Sequence, residues 1–294
     1  MVEKFYFKII KVTIISIALV IVVVPLIYLF LNSIKLPKEF LTVPPTIFPT
    51  ETTFEYYNRS FFDNKTFRYL TNSILVSSIT TLITVIVATF AAYGLARIGF
   101  SQKILGLIII TFLLIRYYPR VTTVIPYFVI MRNLGLLDTV WAIIIGHLGI
   151  TIPFVTWLML VIINDIPKEI EESAIIEGAN AFQRFTNIIV PITAPGIVSS
   201  AILTAFLSWN EFLIASSVAR RKASVLSMAV ASYVTDKGIL WGQMAAMSII
   251  MILPMILFKV FEYSYSYKPI SDMIFFPGLS YISFRLLGLY LDSS

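Results

Sequence analysis

Residues 165–191 read DIPKEIEESAIIEGANAFQRFTNIIVP, the one long polar and helix-forming passage between two strongly apolar segments. Pro167 suits a first helical turn, and Asp165 just before it can accept bonds from the orphan amides there. Ile166, Ile170 and Ala174 recur at a spacing of four. The pattern predicts one apolar stripe facing away from Lys168, Glu169, Glu172 and Ser173. Gly178 stops that helix, because glycine tolerates the left-handed turn of a helix end. Asn180 followed by Gln183 is a capping-box pattern, so a second helix begins at once and runs to about Ile189. Pro191 then opens the next apolar run. The passage predicts a rigid knob of helix, glycine turn and helix, pushed out of a membrane.

The rest of the composition agrees with a membrane. Of 294 residues, 58% are hydrophobic and 13% charged, where a soluble domain carries about a quarter charged residues. No cysteine is present, which excludes disulfides and thiolate metal sites. His147, the single histidine, leaves little for acid–base or metal chemistry and reads as a satisfied helix-packing group. The net charge of +6 is spread out, with no aromatic-interleaved basic patch, so no nucleic-acid partner is expected. Nothing matches G-x-x-x-x-G-K-[ST]. ATP, if this protein uses it, is bound by another subunit, and the chain is expected to hold no cofactor or metal and to be no enzyme itself.

Working outward from the knob, the pattern predicts an all-α membrane protein of about six transmembrane helices. Ile9–Leu31 is long enough to cross, too long for a secretory signal, and followed by no small-x-small cleavage site. Residues 32–69 read as an external loop with Pro37, Pro44, Pro45 and Pro49. Leu70–Leu95 is a second span whose Thr, Ser and Ala suit close helix packing. The third, from Ile104 to about Ile125, is interrupted by Arg116, Tyr117, Tyr118, Pro119 and Arg120. Arg116 and Arg120 stand one turn apart and are expected on one face, where charge at such depth must meet protein or water. Val140–Ile163 is the fourth span. After the knob come Ile192–Ala215 as a fifth and Trp241–Val260, broken by Pro254, as a sixth. Residues 1–262 form one transmembrane domain on this reading. Residues 263–294, with the apolar stretch Met273–Leu289, form a divergent tail of interfacial character.

The spacing of Glu172-Ser173-Ala174, three residues, Gly178, nine residues, then Ile188-x-Val190-Pro191 resembles the EAA cytoplasmic loop of binding-protein-dependent ABC importer permeases, E-A-A-x3-G-x9-I-x-L-P. Ser173 and Val190 are the departures. From about Pro37 to Glu262 further tags fit one branch, the MalG-like permease subunit of carbohydrate importers. They are Arg68-x-x-x-Asn72-Ser73, Ala92-Tyr93-x-Leu95-Ala96-Arg97, Asn133-Leu134-Gly135-Leu136, Ile166-Pro167-x-Glu169 and Trp209-Asn210-Glu211-Phe212. The resemblance implies a second permease subunit, two cytoplasmic ABC ATPase subunits and an extracellular sugar-binding protein as partners. It also places both termini and the knob in the cytoplasm; the lysines and arginines divide too evenly for the positive-inside rule to do so. Glu172, Ser173, Ala174, Gly178, Ile188 and Pro191 are then the coupling residues, with Glu169 and Glu171 as solvated charges beside them.

For the pathway, polar groups inside an apolar span are the default candidates. These are Trp209 and Phe212 to stack on a sugar ring, Asn210 to bond hydroxyls, and Glu211, against the alternative that Asn210 and Glu211 satisfy neighbouring helices. Arg116, Tyr117 and Arg120 join them, the arginines pairing with Glu211, lining an outer gate, or packing on carbonyls. A permease for a polyamine or an oligopeptide would keep the same loop. An ion-coupled transporter would share the intramembrane charges but should show an inverted repeat, and none is evident. A membrane enzyme would want clustered carboxylates that this chain lacks.

Overall fold

The computed structural model describes residues 2–62 and 64–265. In chain order the helices are α1 (Val2–Ser33), α2 (Glu55–Phe62), α3 (Asn64–Arg97), α4 (Gln102–Tyr117), α5 (Arg120–Asn133) and α6 (Val140–Asn164). The knob follows as α7 (Lys168–Ile176) and α8 (Ala181–Arg184), and then α9 (Val190–Trp209), α10 (Leu213–Val218), α11 (Leu226–Ala231) and α12 (Trp241–Tyr265). The only strands among the described residues are β1 (Val234–Thr235) and β2 (Gly238–Ile239), paired as a hairpin. The all-α reading holds. Of the six expected spans, four are single helices long and apolar enough to cross: Ile9–Ser33, Lys65–Arg97, Val140–Asn164 and Ala181–Trp209. The bent pair α4 and α5 makes a fifth if it is one span, and α12 contributes a shorter apolar helix, Trp241–Pro254.

The chain divides into two compact units, residues 1–62 with those from 230, and residues 63–229. In the first, the expected loop after α1 is ordered. A short 3-10 turn, Pro37–Leu41, buries Glu39, whose carboxylate accepts the Thr50 hydroxyl at 2.7 Å, and an isolated bridge joins Lys35 to Thr52. The tail beyond Tyr265, including Met273–Leu289, lies outside the described residues.

In the second unit α3 packs on α6 and α9, and α4 on α6. The α3 face that does this is small and hydroxyl-bearing. Ser73, Ser77, Thr80, Thr84, Ala88 and Ala92 are all buried, the composition that lets helix backbones approach in lipid. Thr84 bonds Thr151 of α6 at 2.7 Å. Val155, Met159, Leu160, Ile163, Ile166, Phe185 and Ile189 complete the core next to the knob. Gly146 is required by packing: a Cβ there would stand 2.6 Å from Ile214 Cγ2.

Four expectations about helix ends are corrected. First, the helix that carries the fifth span begins at Ala181, not Ile192. Pro191 has no N–H to give the carbonyl four residues back; instead of breaking, the chain widens into a π turn over Phe185–Ile189, where Val190 N–H reaches Phe185 O. Second, that span ends at Trp209 rather than Ala215, so Asn210, Glu211 and Phe212 lie in a break before α10. Third, Tyr118 is extended (φ −60°, ψ 136°) and α4 and α5 meet at 90°. Residues preceding proline are pushed out of the helical region, so Arg116 and Arg120 do not stack as neighbours on one helix face. Fourth, Asp165 makes no helix cap; α7 starts after Pro167, which has no side-chain cap at all.

At the end of α6 remote from the knob, Asp138 organises the connection after α10. Its Oδ1 accepts the backbone N–H groups of Arg220, Arg221, Lys222 and Ala223 at 2.9–3.1 Å. From α3, Asn72 donates to the carbonyls of Lys222 and Ser224, and Ser73 Oγ accepts the Leu226 N–H. Burial opposes the Asp138 charge, but the four amides overcome it and hold the carboxyl down to about 2. A carboxyl held below its unfolded value of about 3.9 stabilises the fold above that value and stops doing so as pH falls through 2. Asp138→Asn should therefore lower the unfolding temperature by about 5 °C at pH 7. The gap from wild type should narrow as the pH is lowered from 4 towards 2, read by intrinsic fluorescence in detergent.

Candidate functional site

The knob begins with α7, which closes in a Schellman arrangement. Ala179 N–H reaches Ala174 O and Gly178 N–H reaches Ile175 O, both at 2.9 Å, with Gly178 at φ +86°. A side chain at that φ would be strained. The capping box is present: Asn180 Oδ1 accepts Gln183 N–H and Gln183 Oε1 accepts Asn180 N–H, both at 2.9 Å. Ala174, Gly178, Gln183, Asn187 and Ile188 line an open cleft between the two helices. Glu172 and Ser173 are exposed, Ser173 bonding back to Glu169 O at 2.9 Å. Pro191 is exposed just beyond the π turn.

The inward face of α7 is not the expected aliphatic stripe. Ile166 is buried, but Ile170 is 42% exposed, and with Ile175 and Ile176 it faces outward. The buried residue of α7 is Glu171, expected to be solvated. Its Oε1 pairs with Arg97 Nε at 2.5 Å and its Oε2 accepts the Tyr93 hydroxyl at 2.9 Å. Arg97 also reaches Ile163 O at 3.4 Å. A guanidinium at the end of α3 thus outcompetes aliphatic burial. Losing either partner would strand a buried charge, a cost of about 3–5 kcal/mol.

At the α9–α10 break, Trp209 and Glu211 point inward, whereas Asn210 and Phe212 are exposed. Asn210 caps α9, its N–H and Nδ2 both donating to Phe206 O. Glu211 caps α10: Oε1 accepts Leu213 N–H at 3.1 Å and Oε2 accepts Ile214 N–H at 3.0 Å. His147 Nε2 lies 3.3 Å from Oε2 and its Nδ1 lies 2.8 Å from Ser208 Oγ. If Nε2 carries the proton, Nδ1 accepts from Ser208 and every group is satisfied with a neutral ring. His147 is the helix-packing group expected of it.

Arg116 does not pair with Glu211. Its guanidinium stands 5.0 Å from the Phe154 ring on α6. Arg120 lines a small cavity with His147, Thr151, Ser208 and Glu211. Tyr117 is 83% exposed. No group of three or more metal-ligating side chains occurs among the described residues. Sequence reading passed over the Glu171–Arg97–Tyr93 triad and the Asp138 nest, although Tyr93, Arg97, Asn72 and Ser73 all lie inside tags it quoted.

Residues 85–265 match the family of binding-protein-dependent transport system inner membrane components. The chain is 30% identical over 249 residues to the sulfoquinovosyl glycerol transport system permease protein SmoH of Agrobacterium fabrum, covering 84% of this chain and 87% of the relative. It is 31% identical over 199 residues to the trehalose/maltose transport system permease protein MalG of Thermococcus litoralis, covering 67% and 71% respectively. Its fold is similar to a solved bacterial ABC transporter involved in importing the acidic polysaccharide alginate, at TM-score 0.68 and 22% identity, covering 90% of this chain and 98% of that one.

The Glu211 geometry predicts a structural penalty. Glu211→Ala uncaps α10 and leaves His147 without its acceptor, which should cost about 3 kcal/mol. Ser208→Ala, which removes one neutral bond, should cost about 1 kcal/mol. Denaturant titration of the purified protein checks both, and equal losses would contradict this division of roles.

Proposed function

Because the chain belongs to the family of binding-protein-dependent transport system inner membrane components, we propose that it is one permease half of an ATP-driven importer for a sugar. The sugar assignment draws on relatives whose names specify sulfoquinovosyl glycerol and trehalose or maltose. In this reading the partner half is a second permease. Two ABC ATPases bind on the cytoplasmic side, and an external binding protein delivers the solute. The knob and both termini face the cytoplasm, and the ATPases hold the nucleotide.

The observation that carries the coupling role is the division of the knob into an anchored base and an exposed tip. Glu171 fixes the base to α3 through Arg97 and Tyr93. The tip offers Glu172 and Ser173 as polar groups, with Ile175, Ile176 and Phe182 53%, 88% and 65% exposed. A groove that takes up such side chains gains about 2 kcal/mol for each, and Glu172 adds a charge pair with a basic residue there. Gly178, Ala174, Ile188 and Pro191 set the angle between the two helices. Closure of the ATPase pair then displaces the tip, and the anchored base conveys the movement to the spans. Solute and nucleotide each bias one inward–outward equilibrium, as alternating access requires. On the pathway side, Asn210 and Phe212 are exposed beside the Arg116–Arg120 break, whereas Trp209 and Glu211 are turned inward.

In vesicles carrying the complete complex, Glu172→Ala and Gly178→Pro should leave assembly intact and abolish both uptake and solute-stimulated ATP hydrolysis. Arg97→Ala should act differently, lowering uptake at least tenfold while hydrolysis continues, because the tip still docks but its base has slipped. Uptake at wild-type rates in both knob variants would reduce the loop to a connector and favour an ion-coupled carrier.

A further inference from the structure

The α4–α5 break carries charge that this chain does not neutralise. Arg116 rests on Phe154, near the middle of α6, so it stands deep between the two ends of that span. Arg120 opens α5 on the other side of Tyr118–Pro119. None of the ion pairs among the described residues includes either arginine. The acid that shares a cavity with Arg120 is Glu211, but its oxygens already accept His147 and the first amides of α10. The break therefore holds two guanidinium groups against one carboxylate that is committed elsewhere.

The backbone says the same. An interrupted helix at membrane depth is tolerated only where it is buried in protein or lines a water-filled cavity. Tyr117 is 83% and Tyr118 55% exposed, so this chain does not bury the break. Guanidinium forks match planar or tetrahedral oxyanions, and tyrosine offers an apolar face with a polar tip to a sugar ring.

We propose that this break, Arg116–Tyr117–Tyr118–Pro119–Arg120, is a transport subsite for an acidic sugar, whose carboxylate or sulfonate is met by the two arginines and whose ring lies on the tyrosines. The assignment rests on the importer reading and adds the charge of the solute to it.

The test uses the complete complex in vesicles, with a uronic-acid disaccharide and the neutral disaccharide of the same linkage as probes. Wild type should take up the acidic sugar at least about tenfold faster. Arg120→Gln and Arg116→Gln should each cut acidic uptake about ten- to hundredfold and so erase the preference between the two sugars. Arg→Lys at either position should retain part of it, since an ammonium keeps the charge without the fork. A wild-type complex that prefers the neutral sugar overturns the proposal and leaves the importer reading standing. Glutamine variants that slow both sugars equally, or that shed the second permease, also overturn it. In the last case the counter-charge belongs to the partner subunit. Uptake of neither sugar would sink the sugar-importer reading itself.

Discussion

Hydrocarbon offers no hydrogen bonds, and every feature of the central unit answers to that constraint. At the π turn and at the end of α9, the structure supplies a replacement for the lost backbone partner. At Pro191 the ladder widens into a π turn and Val190 N–H finds Phe185 O. At the end of α9, Asn210 turns its side chain back onto Phe206 O, and Glu211 then caps α10. The carboxylate is itself steadied by His147 and, through His147, by Ser208. At the α4–α5 break Tyr118 N–H reaches Leu114 O and Thr122 N–H reaches Pro119 O; the exception there is in the side chains, since Tyr117 and Tyr118 are exposed and the two arginines find no carboxylate. The exception is where this chain is open to something else.

Two carboxylates fasten the two ends of α6, by different means. Glu171 is buried beside a guanidinium and a phenol, a geometry whose parts are costly to remove singly. Asp138 is held by a ring of backbone amides, so it shapes a loop rather than joining side chains. That loop is left with Arg220, Arg221 and Lys222 exposed on a rigid base. The same chemical group thus acts as a rivet at one end and as a mould at the other.

Local signals were legible in proportion to how little they depended on distant residues. The Gly178 turn and the Asn180–Gln183 box are short-range bonds, and the structure has both. The Ser, Thr and Ala stripe of α3 was readable because small residues at helical spacing have one main use in lipid. The inward face of α7 was not readable. Hydrophobic period favoured Ile166, Ile170 and Ala174, whereas Glu171 won because Arg97, far back in sequence, stands opposite it. The end of α9 was misplaced for a related reason. Trp209 to Ala215 is apolar enough to continue a helix, and only the capping by Glu211 explains why two short pieces satisfy their amides better than one.

The same contacts constrain how force can move through the unit. The knob joins α6 through Pro167 with no helical continuity, and α9 through a π turn with unbroken helical backbone. Its third attachment is the ion pair to α3. A push on the exposed tip passes into α9 along backbone that stays helical from Ala181 to Trp209. It must either tilt α9 together with α3 or break the Glu171–Arg97 pair. Since α3 and α9 also pack directly on each other, the cheaper response is for both to move as one body. The hinge then falls at the ends that lack helical continuity: the turn at Pro167, and the Asn210–Phe212 break where α9 stops. The α9 wall of the His147–Glu211 cavity, Leu207 and Ser208, lies on the same helix as α8 of the knob, so in the proposed orientation a displacement at the cytoplasmic end of that helix would shift this wall against Glu211, which sits in the hinge beyond it.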